Sequence, residues 1–323
     1  MLPARESGHD RRARTKFVDP AWTADGQRRA FVPLRRLDTV WFNTGTLCNI
    51  TCANCYIESS PKNDRLAYLT LADALPFLDE IAALPEPASL IGFTGGEPFM
   101  NPNFIAILEE TLERGFETLT LTNALRPMEL RKADIARLAD RFGARMRIRV
   151  SLDDYRPEVH DAERGEGAFA HAVEGLIWLS RAGAALEVAG RFLSGDGEDA
   201  LRQGFAALFR DCGIRIDCND AQALVLLPEM RPGATPPEIT EACWGILKKS
   251  PEAVMCANAR MIVKRKDAKS ASVAACTLLP YDARFELGET LAEASRTVPL
   301  VHPYCATFCV LGGGSCGSAR HAG

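Results

Sequence analysis

The stretch "LCNITCANCY", residues 47–56, carries three cysteines within eight positions and no histidine. The spacing Cys48-x3-Cys52-x2-Cys55 predicts a metal site, because clustered thiolates are ligands for zinc and for iron–sulfur clusters. A closed zinc site needs four protein ligands. The next cysteine is Cys212 and the next histidine is His160, so this stretch supplies only three ligands.

A [4Fe–4S] cluster held by three cysteines leaves one iron without a protein ligand. That open iron can bind a small molecule, which makes the three-cysteine arrangement chemically useful. Zinc remains an alternative if the fold brings a distant fourth ligand to the loop.

The composition is that of a globular chain without a membrane segment. The 323 residues are 47% hydrophobic and 25% charged, with a net charge of −4. No apolar run reaches the roughly 18 residues of a membrane-spanning helix, and the N-terminus lacks the apolar core of a signal peptide. We therefore expect a cytoplasmic protein with no membrane partner.

Residues 1–36 hold nine Lys/Arg against four Asp/Glu. They predict a solvated, partly disordered basic arm. Nucleic acid is not expected as a partner, because the remainder of the chain is acidic and repels phosphate.

Short apolar runs alternate with longer amphipathic ones between residues 38 and 228. Repeated βα units favour a parallel sheet with right-handed crossovers, so we predict an α/β fold with a partial (β/α)6 TIM-like barrel over residues 37–228. The predicted strands are 39–45, 88–95, 117–123, 146–153, 186–193 and 221–227, and the predicted helices lie near 70–84, 103–115, 129–141, 166–182 and 198–211.

Polar residues follow several of these strands, where the active site of a barrel is built. The second strand ends in "FTGGEP", residues 93–98. With the cysteine spacing after the first strand, this pattern resembles the radical S-adenosylmethionine (radical SAM) enzymes over about residues 38–228. The resemblance implies a [4Fe–4S] cluster on Cys48, Cys52 and Cys55, with S-adenosylmethionine (SAM) on the open iron.

The resemblance also implies the residues that bind SAM. Gly95 and Gly96 let the backbone approach the methionine amine without a Cβ in the way, and Glu97 adds an acceptor for that amine. "HDAERGEGAF", residues 160–169, resembles an HD-x-x-RG segment of peptide- and sugar-modifying members. The expected SAM-binding residues are Gly95, Gly96, Glu97, Pro98, Asn123, Ser151 and Arg191.

Five late cysteines lie in residues 229–323, which we expect to form a linker helix near 238–249 and a small cysteine-rich domain with a β-hairpin. Their pattern resembles the auxiliary-cluster extensions called SPASM and twitch domains, although the usual hairpin glycines are absent. The resemblance implies one auxiliary [4Fe–4S] cluster on four of the five, and a zinc site is the alternative. The five are Cys256, Cys276, Cys305, Cys309 and Cys316.

Radical SAM enzymes cleave SAM reductively and use the resulting 5′-deoxyadenosyl radical to remove a hydrogen atom from a substrate. The acidic chain and the short N-terminal arm favour a small sugar- or amino-acid-like substrate, with flavodoxin or ferredoxin as reductant. Cys243, in the predicted linker helix, suggests a hydrogen-atom donor and hence an epimerase.

Two other classes stay open. The first is a radical SAM dehydrogenase or peptide-modifying maturase whose auxiliary cluster accepts an electron from the substrate. The second is a non-enzymatic iron–sulfur electron carrier or a zinc-stabilised binding module.

Overall fold

The computed structural model describes residues 15–230 and 233–314, and it confirms the α/β class. The strands are β1 (Phe31–Val32), β2 (Thr39–Asn43), β3 (Leu90–Thr94), β4 (Glu117–Thr122), β5 (Met146–Ser151), β6 (Ala185–Arg191), β7 (Leu224–Leu227), β8 (Ala259–Val263), β9 (Ser272–Ala274), β10 (Glu286–Gly288) and β11 (Val298–Pro299). The helices are α1 (Leu71–Ala83), α2 (Phe104–Glu113), α3 (Arg126–Glu129), α4 (Lys132–Phe142), α5 (Pro157–Arg164), α6 (Ala168–Arg181), α7 (Glu198–Asp211) and α8 (Cys243–Leu247).

Nine strands form one sheet in the order β10-β9-β8-β2-β3-β4-β5-β6-β7. Strands β2 to β7 run parallel to their neighbours and are the six predicted barrel strands. The predicted C-terminal hairpin is β8 and β9, and β8 pairs in parallel with β2. The cysteine-rich region therefore extends the barrel sheet, while the domain boundary after residue 228 stays a prediction.

Side chains alternate between the two faces of this sheet, as the period of two in a strand requires. Phe42, Phe93 and Ile148 face the helices and belong to the larger apolar core. Trp41 and Leu119 belong to a second, smaller core on the opposite face of their strands. Both faces of the sheet are thus covered by packed side chains.

The helices follow the sequence pattern with three differences. At the start of α1, Thr70 and Asp73 form a reciprocal capping box. The short helices α3 and α5 have no counterpart among the predicted helices. The helix expected near 238–249 is only α8, because Lys248 turns the chain with a left-handed φ of +52°. Among the described residues, no helix is both long and apolar enough to cross a membrane.

The N-terminal arm corrects the sequence-based expectation. Residues 1–14 lie outside the described residues, but the following segment is packed against the C-terminal half of the chain. Strand β1 pairs with β11, and buried Arg29 forms an ion pair of 2.5 Å with Glu238. Glu238 also accepts hydrogen bonds from the backbone amides of Phe17 and Ala24. This buried carboxylate orders a segment that composition alone marked as solvated.

Candidate active site

A cavity of about 210 Å³ lies at the carboxyl ends of the barrel strands. Strand-end residues and the three-cysteine loop form its walls, which is where a barrel places its active site. Glu97, Pro98 and Cys243 are not among the lining residues. The predicted site residues that line it are Cys48, Cys52, Cys55, Gly95, Gly96, Asn123, Ser151 and Arg191.

The three-cysteine loop is held by contacts from distant parts of the chain. The amide of Ala53 donates to the carbonyl of Glu163 at 2.7 Å. The side-chain amide of Asn54 donates to the carbonyl of Met230 at 2.7 Å. The hydroxyl of Tyr56 donates to the carbonyl of Pro228 at 3.2 Å. The segment that follows β7 thus helps to fix the loop.

The spacing of the cysteine sulfurs bears on a single zinc ion. Tetrahedral zinc with bonds of about 2.3 Å places its sulfur ligands about 3.8 Å apart. Among the described residues, no three cysteine sulfurs lie within 4.8 Å of one another. The three thiols of the loop are therefore spaced more widely than the ligands of one zinc ion.

The two glycines of "FTGGEP" permit a close contact between two loops. A Cβ on Gly96 would lie 2.1 Å from the carbonyl oxygen of Leu47, and a Cβ on Gly95 would lie 2.4 Å from that of Gly45. The Gly96 amide donates to the Gly45 carbonyl at 2.8 Å. The missing side chains thus make room for the start of the cysteine loop, a reason that the sequence did not reveal.

Glu97 joins the ends of two neighbouring strands. Its carboxylate accepts hydrogen bonds from the Asn123 amide and the Thr122 hydroxyl, both at 2.9 Å, and from the Phe99 amide at 3.3 Å. Burial raises the pKa of Glu97 to about 7, even though these hydrogen bonds act in the opposite direction. The observed contacts are structural, and direct binding of SAM by Glu97 stays a prediction.

A pair of ionic contacts forms one wall of the cavity. Arg164 binds both carboxylate oxygens of Asp153, at 2.7 and 2.9 Å. Arg191 donates to Glu163 at 2.9 Å and lies 3.9 Å from Asp153. Burial acts to raise the pKa of Asp153, but the two guanidinium groups outweigh it and hold the pKa below its usual range. The wall is therefore charged and preorganised.

The "HDAERG" segment builds this wall. The Asp153 amide donates to Nδ1 of His160 at 3.0 Å. Burial lowers the pKa of His160 to about 4, so the imidazole is neutral. Asp161 accepts from the amides of Gly167 and Phe169 and so fixes the start of α6. The motif is recognisable in the sequence, but its residues were not among the predicted site residues. The spacing of His160 and Arg164 after β5 is the signal that could have placed them there.

Four of the late cysteines line a second, smaller cavity. The ends of the β8–β9 hairpin bring Cys256 and Cys276 to this cavity, and a π-helical segment, Cys305–Leu311, supplies the other two. Cys316 lies outside the described residues. The remaining walls are formed by Val254, Met255, Leu278, Leu279, Phe285, Val298, Leu300 and Tyr304.

The two cavities are neighbours. Leu278 lines both of them. Thr277 and Phe308 line the first cavity, and each is adjacent in sequence to a cysteine of the second, Cys276 and Cys309. Phe308 also contacts the Tyr56 ring edge-on, with 6.1 Å between ring centroids. A single layer of side chains thus separates the two cysteine sites.

Comparison with protein families agrees with this geometry. A model of the radical SAM superfamily matches residues 42–199, which span the three-cysteine loop, "FTGGEP" and the ionic wall. Residues 42–199 are a radical SAM domain. Its cofactors are a [4Fe–4S] cluster and SAM, and the three-cysteine cavity has the residues to hold them.

Two curated relatives show the same relationship over part of their length. The chain is 30% identical over 143 residues to the antilisterial bacteriocin subtilosin biosynthesis protein AlbA of Bacillus subtilis. The aligned region covers 44% of this chain and 30% of AlbA. It is 31% identical over 136 residues to the mycofactocin maturase MftC of Mycobacterium ulcerans, covering 42% and 34% of the two chains. The chain thus matches about a third of each relative.

A solved structure extends the likeness to the fold of most of the chain. Native anSMEcpe with bound AdoMet and Kp18Cys peptide superposes with a TM-score of 0.52 at 14% identity, covering 80% of each chain. At this identity the match concerns the fold alone. It includes more of the chain than the radical SAM domain.

Cys243 is placed outside both cavities. It begins α8, and its sulfur lies 3.3 Å from the amide and 3.4 Å from the hydroxyl of Thr240. It does not line the cavity of the radical SAM domain. Its role as a hydrogen-atom donor stays a prediction that these contacts do not support.

Proposed function

We propose that this chain is a radical SAM enzyme that oxidises a side chain of a peptide and passes one electron from the substrate to an auxiliary [4Fe–4S] cluster. When bound, the first cluster and SAM supply a 5′-deoxyadenosyl radical that takes one hydrogen atom. The substrate then loses one electron to the oxidised auxiliary cluster and one proton to a base or water. The net change is the loss of two hydrogens.

The observation that carries this proposal is the wall shared by the two cavities. Leu278 lines both cavities. Thr277 and Phe308 line the first cavity, and each is adjacent in sequence to a cysteine that lines the second. An electron acceptor on the four cysteines would therefore lie one side-chain layer from the substrate. An epimerase needs no such acceptor, and Cys243 lies outside the cavity.

The relatives and the fold neighbour support a peptide over a free small molecule. One relative is named a maturase, and the anSMEcpe structure contains a peptide, so the small-molecule substrate expected from the sequence has less support.

The residues of the radical SAM domain orient the reactants in this proposal. Asn123, Ser151 and Arg191 line the cavity at the ends of three strands and offer donors for the carboxylate and ribose of SAM. Arg164 and Asp153 form the charged wall beside Cys52. A flavodoxin or ferredoxin is the proposed reductant.

The test is anaerobic reconstitution followed by assay with short peptides encoded beside the gene for this chain. We expect about eight irons per chain, formation of 5′-deoxyadenosine from SAM and dithionite, and a peptide product lighter by two hydrogens. In heavy water, oxidation leaves the product carbon without solvent deuterium. A product of unchanged composition that carries one deuterium would instead establish epimerisation and overturn the proposal.

A further inference from the structure

Among the described residues four arginines are buried, and one of them has no carboxylate partner. Arg29, Arg149 and Arg191 each form an ion pair with a carboxylate, at 2.5, 2.6 and 2.9 Å respectively. Arg260, in β8, is 1% exposed. Within residues 15–230 and 233–314 it has no carboxylate partner.

Arg260 is nevertheless held rigidly by backbone carbonyl groups. Its Nε donates to Ala294 at 2.8 Å, and Nη2 donates to Arg296 at 3.1 Å. Its Nη1 donates to Cys256 at 2.6 Å and to Ala259 at 2.8 Å. These bonds satisfy donors but leave the positive charge without an opposite charge, and burial of an uncompensated charge is costly.

Arg260 lies beside the second cavity, since its guanidinium group donates to the backbone of Cys256, one of the cysteines of that cavity. Arg260 is close enough to Cys256 and Cys276 for their charges to interact. As neutral thiols the cysteines offer no compensation. As ligands of a [4Fe–4S] cluster they are thiolates, and the cluster with its four ligands carries a net negative charge that grows by one on reduction.

We propose that Arg260 is the buried countercharge of the auxiliary cluster and raises its reduction potential. This inference rests on the proposed function, because it assumes a cluster on the four late cysteines. A fixed positive charge stabilises the more negative, reduced cluster. Net charge around a cluster is one of the factors that set its potential, so Arg260 suits the cluster to accept an electron.

The test measures the potential of the auxiliary cluster by itself. The full chain carries Cys48→Ala, Cys52→Ala and Cys55→Ala, is reconstituted anaerobically, and is titrated with dithionite while the reduced cluster is followed by electron paramagnetic resonance. Adding Arg260→Met is expected to make reduction at least tenfold less favourable, a shift of about 59 mV to more negative potential for one electron. Arg260→Lys retains the charge and is expected to stay near the parent value.

Arg284→Met is the matched control. Arg284 also acts on a cluster cysteine, Cys305, but its charge is already paired with Asp282 at 2.6 Å and its side chain is 41% exposed. Its removal is expected to shift the potential much less than the removal of Arg260.

The outcomes separate the two proposals. If the variant that lacks Cys48, Cys52 and Cys55 binds no iron, both the auxiliary cluster and the proposed function are contradicted. If it binds about four irons and Arg260→Met leaves the potential unchanged, only the role of Arg260 is overturned. Should Arg260→Met lose the cluster, iron loading of Arg260→Lys and Arg260→Gln decides: loading by Lys alone supports a countercharge, and equal loading contradicts it.

Discussion

The two cysteine cavities of this chain differ in ligand number and in polarity. Three cysteines line the first cavity, together with ionic side chains such as Asp153 and Arg164 and with space for a ligand. Four cysteines line the second, and its other walls are almost wholly apolar. The first can hold and orient a reagent on an open iron, whereas the second can only enclose its cluster. In the proposed function, this difference separates radical chemistry at the first cavity from electron transfer at the second.

The largest expected effect comes from removing one cysteine from each cavity. Cys52→Ala should lower iron from about eight to about four per chain and reduce 5′-deoxyadenosine formation to background, because the cluster that cleaves SAM is lost. Cys309→Ala should lose a similar amount of iron but keep SAM cleavage, and should stop formation of oxidised product. Iron analysis and chromatography of 5′-deoxyadenosine measure both effects.

Cys212→Ala is the control for this pair. Cys212 is half-buried at the end of α7 and lines neither cavity, so its removal should change neither iron content nor SAM cleavage. Equal loss of SAM cleavage in Cys52→Ala and Cys309→Ala would contradict the division of roles.

The charged wall of the first cavity gives the next largest effect. Asp153→Asn removes the carboxylate that pairs with Arg164, while Arg191 keeps its ion pair with Glu163. We expect the free energy of unfolding to fall by about 3 to 5 kcal/mol, as for other broken buried ion pairs. Denaturant unfolding of the chain measures this loss.

Asp64→Asn is the matched control for Asp153→Asn. Asp64 pairs with Lys266 at 2.6 Å, but both side chains are about half exposed. Solvent screens such a pair, so the stability should not change measurably. A similar loss in both variants would mean that burial of the wall does not matter.

Glu97, which follows the cavity-lining Gly96 and joins strand ends beside the first cavity, predicts a dependence of stability on pH. Among the described residues, no carboxyl group lines the second cavity. An unfolded glutamate has a pKa of about 4.3, and burial raises that of Glu97 to about 7. The folded chain therefore prefers the protonated form. The stability that this group contributes is complete below about pH 4 and is lost as the pH rises to about 7, by roughly 4 kcal/mol.

Comparison of the native chain with Glu97→Gln isolates this contribution. The difference between their free energies of unfolding should change between pH 4 and pH 8, because glutamine does not titrate. Glu174→Gln, on the exposed face of α6, should give a curve parallel to that of the native chain. A parallel curve for Glu97→Gln would show that its carboxyl titrates normally.

The features that could be predicted from the sequence, the barrel strands and the residues at their carboxyl ends, depend on periodicity and spacing. The six barrel strands follow from runs of apolar residues separated by amphipathic helices, and parallel strands bring their carboxyl ends to one edge. For this reason Cys48, Gly96 and Asn123 could be assigned to one site before the fold was known. The hairpin likewise brought Cys256 and Cys276 together.

Contacts between distant side chains could not be predicted in the same way. The sequence places Arg29 in a basic N-terminal arm that was predicted to be solvated. Its buried ion pair with Glu238 shows that the part of the arm around Arg29 is packed. The sequence marks Glu97 as a candidate ligand for SAM but does not reveal that its carboxylate accepts hydrogen bonds from Thr122 and Asn123 at the end of β4. Each depends on which groups the tertiary fold buries together, and local patterns carry no information on that.

The smallest expected effect tests the close approach of the two loops at the first cavity. Gly96→Ala places a Cβ 2.1 Å from the Leu47 carbonyl oxygen, which is backbone and cannot rotate away. We expect a loss of about 1 to 3 kcal/mol in the free energy of unfolding, as for overpacked sites, together with weaker iron loading because the displaced loop carries Cys48. Gly245→Ala is the control, since a Cβ on Gly245 would meet no described atom within 4 Å and alanine favours the helix. If both variants load iron and unfold alike, the loops can separate without cost, and the first cavity is less rigid than its backbone contacts imply.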